Sequence, residues 1–120
     1  MVEKKDEAAL LNKALLEYEN MEKQLEVLIL QRNQLKLQLT ETKNAEEELK
    51  HATGEVYKSV GSLVLKTTKE KAENELKEKK ELIDVKLNAI HKEEEKLRNA
   101  LKELQQGLQT QMKQYDTKKK

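Results

Sequence analysis

His51 and His91 are the side chains best suited to do chemistry at neutral pH, and each stands alone. Neither has a second His at the spacing a metal needs, and the chain has no Cys. They read as two solvated imidazoles, with no metal site. Carboxylates are abundant but alternate with Lys along helical stretches. Such residues solvate a face, whereas general acid–base work needs a pair held in a cleft. Gly54, Gly61 and Gly107 are too scattered to form a phosphate-cradling loop. The runs Lys69 to Lys80 and Lys118 to Lys120 offer charge to nucleic acid. Glu interleaves the first run and the net charge is only +1, which removes most of the electrostatic drive for phosphate binding. The sequence predicts no enzyme, no cofactor and no nucleic-acid partner.

Attention therefore shifts to surfaces and the elements that present them. Charged residues make up 39% of the chain and aromatics 2%, with no Phe, Trp or Pro. Such a composition cannot fill a wide core, but it can fill a narrow leucine seam between long charged helices. Without Pro, the helices run uninterrupted. The absence of Cys excludes disulfides and fits a reducing compartment. No apolar run approaches the ~20 residues of a membrane span, and the opening MVEKKDEAA has no signal-peptide core. A soluble, cytoplasmic protein with no membrane partner is expected.

One stretch reads as β-structure. Residues 55–67, EVYKSVGSLVLKT, concentrate β-branched, aromatic and large apolar side chains around Gly61-Ser62. Glycine at the first central position suits a two-residue type II′ turn, which needs φ > 0 there. That turn pairs Val60 with Leu63, Lys58 with Leu65 and Val56 with Thr67 on one face. Tyr57 with Lys66 and Ser59 with Val64 share the other. The first face is mostly apolar and calls for burial.

Helices flank this hairpin. Residues 1 to 7 are expected to fray, and the first helix is expected over 8–52. Its heptad seam is Leu11, Ala14, Tyr18, Met21, Leu25, Leu28, Arg32, Leu35, Leu39, Thr42, Glu46 and Leu49, apolar at all but three positions. Glu19 with Lys23 and Glu46 with Lys50 form surface pairs four apart. Gly54 is placed as a left-handed residue closing this helix. Thr67 with Glu70 offers a capping box for the second helix, expected over 68–115. Its seam is Leu76, Lys80, Ile83, Leu87, Ile90, Glu94, Leu97, Leu101, Leu104, Leu108, Gln111 and Tyr115. Glu73 with Lys77, Glu75 with Lys79 and Glu94 with Arg98 brace it. Residues 116–120 form a basic tail, of which Lys118 to Lys120 are expected to be disordered.

Two helices of similar length around a hairpin fold back antiparallel. In that arrangement facing residue numbers share one sum, and Arg32 with Glu94 and Glu46 with Lys80 satisfy the same sum. These pairs set register more than stability, because part-buried ion pairs often break even against desolvation. Gln111 would face Ala14, and Thr42 would face Ile83. Each arm would reach roughly 70 Å at ~1.5 Å per residue. The fold class is mainly α: a long antiparallel two-helix coiled coil with one β-hairpin between the helices, in a single domain spanning 1–120.

The motif VYK-x-VG-x-L-V-x-K, from Val56 to Lys66, continues into the capped, charged stretch Thr67 to Lys79. With one hairpin rather than two, it resembles the β-class subunits of prefoldin, the hexameric co-chaperone of archaea and eukaryotes. The layout matches over nearly the whole chain, although the first arm is Lys/Glu-rich where the family is often Gln-rich. The resemblance implies that the hairpin joins a β-barrel with the hairpins of two α-class and three further β-class subunits. It implies that the arm tips hold unfolded polypeptides without ATP and pass them to a group II chaperonin. The hairpin residues Val56, Tyr57, Val60, Gly61, Leu63, Val64 and Leu65 are accordingly the expected oligomer interface. An isolated hairpin is marginal in water and leaves both edges unpaired, so it needs others.

Near the chain ends apolar residues exceed what the seam needs: Leu10, Leu15 and Leu16 beside Leu11, and Met112 beside Leu108 and Tyr115. These seven are the expected client-binding residues, since a splayed tip would expose adaptable apolar surface. Off-seam Val27, Ile29, Leu30 and Leu37 are read as padding of a wide seam or as single surface residues. The competing readings are a coiled-coil scaffold that oligomerises through its hairpin without binding clients, and an RNA-binding arm.

Overall fold

The computed structural model describes the backbone of residues 4–119 and the side chains of residues 6–114. The elements follow as α1 (Lys4–His51), β1 (Val56–Val60), β2 (Leu63–Thr67) and α2 (Lys69–Lys119). They fall into two compact units, Met1–Leu30 with His91–Lys120, and Gln31–Ile90.

In the unit Gln31–Ile90 the hairpin brings the last turns of α1 beside the first turns of α2. Lys69 Nζ donates to the carbonyl oxygen of Lys50 at 3.1 Å, satisfying a group that a helix C-terminus leaves open. Leu49, Ile83 and Leu87 are buried with Thr42. The Thr42 hydroxyl donates to the Gln38 carbonyl at 2.7 Å, so its burial strands no polar group.

In the other unit Leu108 and Glu94 are buried, and the seam positions from Leu11 to Leu28 and from Leu97 to Leu104 are half-buried. Half-burial is what a helix pair gives, since each seam residue meets only one facing helix. Among the described residues, every heptad position named above is buried or half-buried except Gln111, which is exposed. Burying its amide without a partner would cost more than hydration allows. The side chain of Tyr115 lies outside the described residues.

Helix boundaries differ from expectation in physically clear ways. α1 begins at Lys4, not Ala8, and its first turn carries Asp6 and Glu7 while its last carries Lys50 and His51. Both ends thus complement the helix dipole. Thr68, not Thr67, caps α2. The Lys71 amide donates to Thr68 Oγ1 at 3.2 Å, while Thr67 is committed to the β-ladder opposite Val56. No capping box forms, because position 71 is lysine. α2 stays helical through Lys119, where a tail was expected from residue 116. Lysines suit the negative end of the dipole. Lys120 lies outside the described residues.

The hairpin has the register its turn dictates: Val56↔Thr67, Tyr57↔Lys66, Lys58↔Leu65, Ser59↔Val64 and Val60↔Leu63. Gly61 takes φ 59°, and among the described residues no non-glycine has positive φ. A turn with only its first central residue at positive φ is type II′. Gly54, at φ 102°, turns the chain from α1 into β1.

Candidate assembly surface and client-binding ends

The hairpin's two faces follow from this register. On one, Val56 and Thr67 at the base are half-buried, and Lys58 Nζ lies 2.7 Å from Glu75 Oε2 of α2. Towards the turn this face carries Val60, Leu63 and Leu65. On the other, Tyr57 and Val64 are uncovered. Val64 is 68% exposed, Leu63 62% and Tyr57 56%, with Val60 and Leu65 also exposed. A connector would fold down to hide such residues. Here an open cleft of about 730 Å³ lies beneath the hairpin, with Leu49, Ala52, Val56, Ala72 and Leu76 in its walls. Five large apolar side chains stand in solvent on a two-stranded sheet whose edges are both unpaired. Such unpaired edges and exposed apolar side chains are open to pairing with a further strand.

A polar tie holds the outer face. Tyr57 Oη donates to Glu55 Oε2 and Lys66 Nζ donates to Glu55 Oε1 at 3.0 Å. The Tyr57 hydroxyl first, and the Lys66 ammonium second, hold the Glu55 carboxyl below its usual value of 4.5. The same hydrogen bond raises Tyr57 above 10.0. Glu55 is lowered in the folded hairpin, so the tie is fully present above the ordinary carboxylate value. It is lost as pH falls through the lowered one. In a carboxyl NMR titration, Glu55 is expected to have its midpoint below 4.5, and Tyr57→Phe is expected to move it back up. An unmoved midpoint would break the link. The sequence reading missed this tie, although alternation puts Glu55 and Tyr57 on one face and the register puts Lys66 opposite.

Lys80 Nζ lies 3.6 Å from Glu46 Oε1, with both side chains partly exposed. The expected Glu46–Lys50 pair is replaced, since Lys50 lies 3.9 Å from Glu47 and Glu46 turns to α2. Arg32 is half-buried. Glu94 is buried, with Arg98 Nη2 at 3.8 Å from its Oε2, so this pair reaches into the seam rather than bracing it from outside. Reversing Glu46 and Lys80 singly is expected to lower stability, and reversing both to recover most of the loss. A coupling of about 0.5 kcal/mol, in the range of partly exposed pairs, would appear in a double-mutant cycle by denaturant unfolding. Strictly additive losses would mean the pair is not coupled.

The expected client-binding residues differ in exposure. Leu10 and Leu15 are exposed, Leu16 is 60% exposed and Met112 50%. Leu11 is half-buried and Leu108 only 7% exposed, so these two belong to the seam beneath the surface rather than to the surface itself. Tyr115 falls outside the described side chains. Val27, Leu30 and Leu37 are also exposed, as are Leu82 and Val85 of α2, which the sequence reading passed over. Their signal was available, since neither occupies a seam position.

Both histidines lie on helix surfaces. His51 Nε2 is 3.2 Å from Glu47 Oε1, both exposed, and His91 is exposed. Among the described residues no His, Cys, Asp and Glu side chains group in a way that could hold a metal ion. No helix among them is long and apolar enough to cross a membrane.

Comparison with known proteins agrees with this architecture. The family model for prefoldin subunits matches residues 12–115. Prefoldin subunit beta of Thermococcus onnurineus is 49% identical over 94 residues, covering 77% of this chain and 81% of that protein. Its counterpart in Pyrococcus furiosus is 44% identical over 93 residues, covering 76% of this chain and 80% of that protein. The crystal structure of the prefoldin beta subunit from Thermococcus strain KS-1 superposes with a TM-score of 0.78 at 41% identity. It spans 84% of this chain and 90% of that one.

Proposed function

The chain belongs to the prefoldin family, in its β class, and from that premise we propose that it is one subunit of an ATP-independent holdase. Its hairpin assembles with those of α-class subunits, in a heterohexamer of two α and four β chains working in the cytoplasm. The apolar ends of its helices bind non-native polypeptides, which pass to a group II chaperonin. The observation that carries this reading is the exposure of Leu10, Leu15, Leu16 and Met112 in a chain that is 39% charged. Apolar surface on so polar a chain is costly unless something covers it. Non-native proteins offer the matching apolar segments.

The test is suppression of aggregation. The chain, assembled with an α-class subunit and given no nucleotide, is expected to keep a denatured test protein in solution. An assembled complex that fails to do so would leave the scaffold reading, in which hairpins join helical arms that hold nothing.

A further inference from the structure

Gly107 lies inside α2, where glycine has no evident structural task. Its φ is not positive, and a Cβ built there would meet nothing within 4 Å. Alanine would fit without cost. Three further observations fall on the same turn. Thr110 Oγ1 donates to the Gln106 carbonyl at 3.0 Å, a back-bond that competes with the helix ladder and bends helices. No charged residue lies between Leu104 and Met112, so no Glu–Lys pair braces this turn. Among the described side chains of α2 Leu108 is the last that is buried, and residues 109–114 are all exposed. Most helical stability comes from packing, and residues 109–114 bury no side chain that would supply it.

We propose that Gly107 is a hinge, about which the distal segment of α2 bends while the helix before it stays rigid. It carries the exposed Met112 with it, so the apolar surface near the chain end changes direction without unfolding the seam. That this motion serves client capture rests on the holdase reading; the hinge itself does not.

The experiment compares the chain with Gly107→Ala, each assembled with an α-class subunit. Amide hydrogen exchange is expected to slow about fivefold at residues 108–114. That factor is the ~1 kcal/mol helix penalty of glycine against alanine, converted at ~1.4 kcal/mol per decade. Residues 83–90 are expected to be unchanged. The chain has no native Cys, so spin labels can be placed at will. Labels at Lys13→Cys with Gln114→Cys should give a broad distance distribution that narrows with Gly107→Ala. Labels at Glu22→Cys with Lys102→Cys should stay narrow in both. Equal exchange on the two sides of Gly107, unaltered by alanine, would overturn the hinge. So would uniform slowing along α2, which marks general stabilisation. If the complex suppressed no aggregation but kept the exchange pattern, the holdase reading would fall and the hinge would stand.

Discussion

Mixed with an α-class prefoldin subunit, the chain is expected to form one complex of hexamer-sized mass, and Leu63→Asp with Val64→Asp to return both proteins to their unmixed masses. The two residues lie on opposite faces of β2 and are the most exposed of the hairpin's large apolar side chains. Burying each contributes roughly 1.5–3 kcal/mol. An aspartate in its place brings a carboxylate that must be desolvated and paired, which turns the gain into a penalty. The swing for both positions is several kcal/mol per subunit and is repeated at every copy in a ring, so the effect is loss of assembly rather than weakening. Helix content should hardly change, because the seam of neither unit uses these residues. Solution mass and circular dichroism together check this. A monomer that ignores the partner would reduce the hairpin to a connector. A large homo-oligomer would keep it as an assembly device and remove the heterohexamer.

The hairpin was fully legible in the sequence because its register is a local problem. Once Gly61 takes the positive-φ position of a two-residue turn, period-two alternation places every other residue. The seam was legible for the same kind of reason, as heptad spacing is insensitive to what surrounds it. Errors arose where two local solutions competed. Thr67 and Thr68 can each cap a helix, and the β-ladder's claim on Thr67 decided between them. Glu46 can reach Lys50 along its own helix or Lys80 across the seam, and tertiary contact won. Gln111 matched the heptad by position but not by chemistry, and hydration took it out of the seam. Leu108, a seam position also expected to bind clients, is packed in the chain by itself. What a monomer's sequence leaves open is which exposed apolar residues have partners, since Leu16, Leu37 and Val85 look alike in pattern.

The second large effect separates those classes. Leu10, Leu15, Leu16 and Met112 changed together to Ser are expected to leave the assembled mass intact and to remove most aggregation suppression. All four are exposed, so their loss opens no cavity and should cost the fold little. A client that buries even half of each would lose about 3–6 kcal/mol of contact free energy from the four together, at roughly 1.5–3 kcal/mol per fully buried side chain. That is more than a hundredfold in affinity, well beyond what raising the complex concentration tenfold restores. The matched control is Val27, Leu30 and Leu37 changed to Ser, equally exposed and equally apolar but away from the chain ends. If the control loses suppression and the end variant keeps it, clients bind along α1 and the tip assignment is wrong. If only the end variant fails, exposure alone does not make a client site, and place along the helix does. Leu108→Ser belongs to neither set. It cuts into a packed residue and should lower the thermal midpoint, which the four surface changes should not.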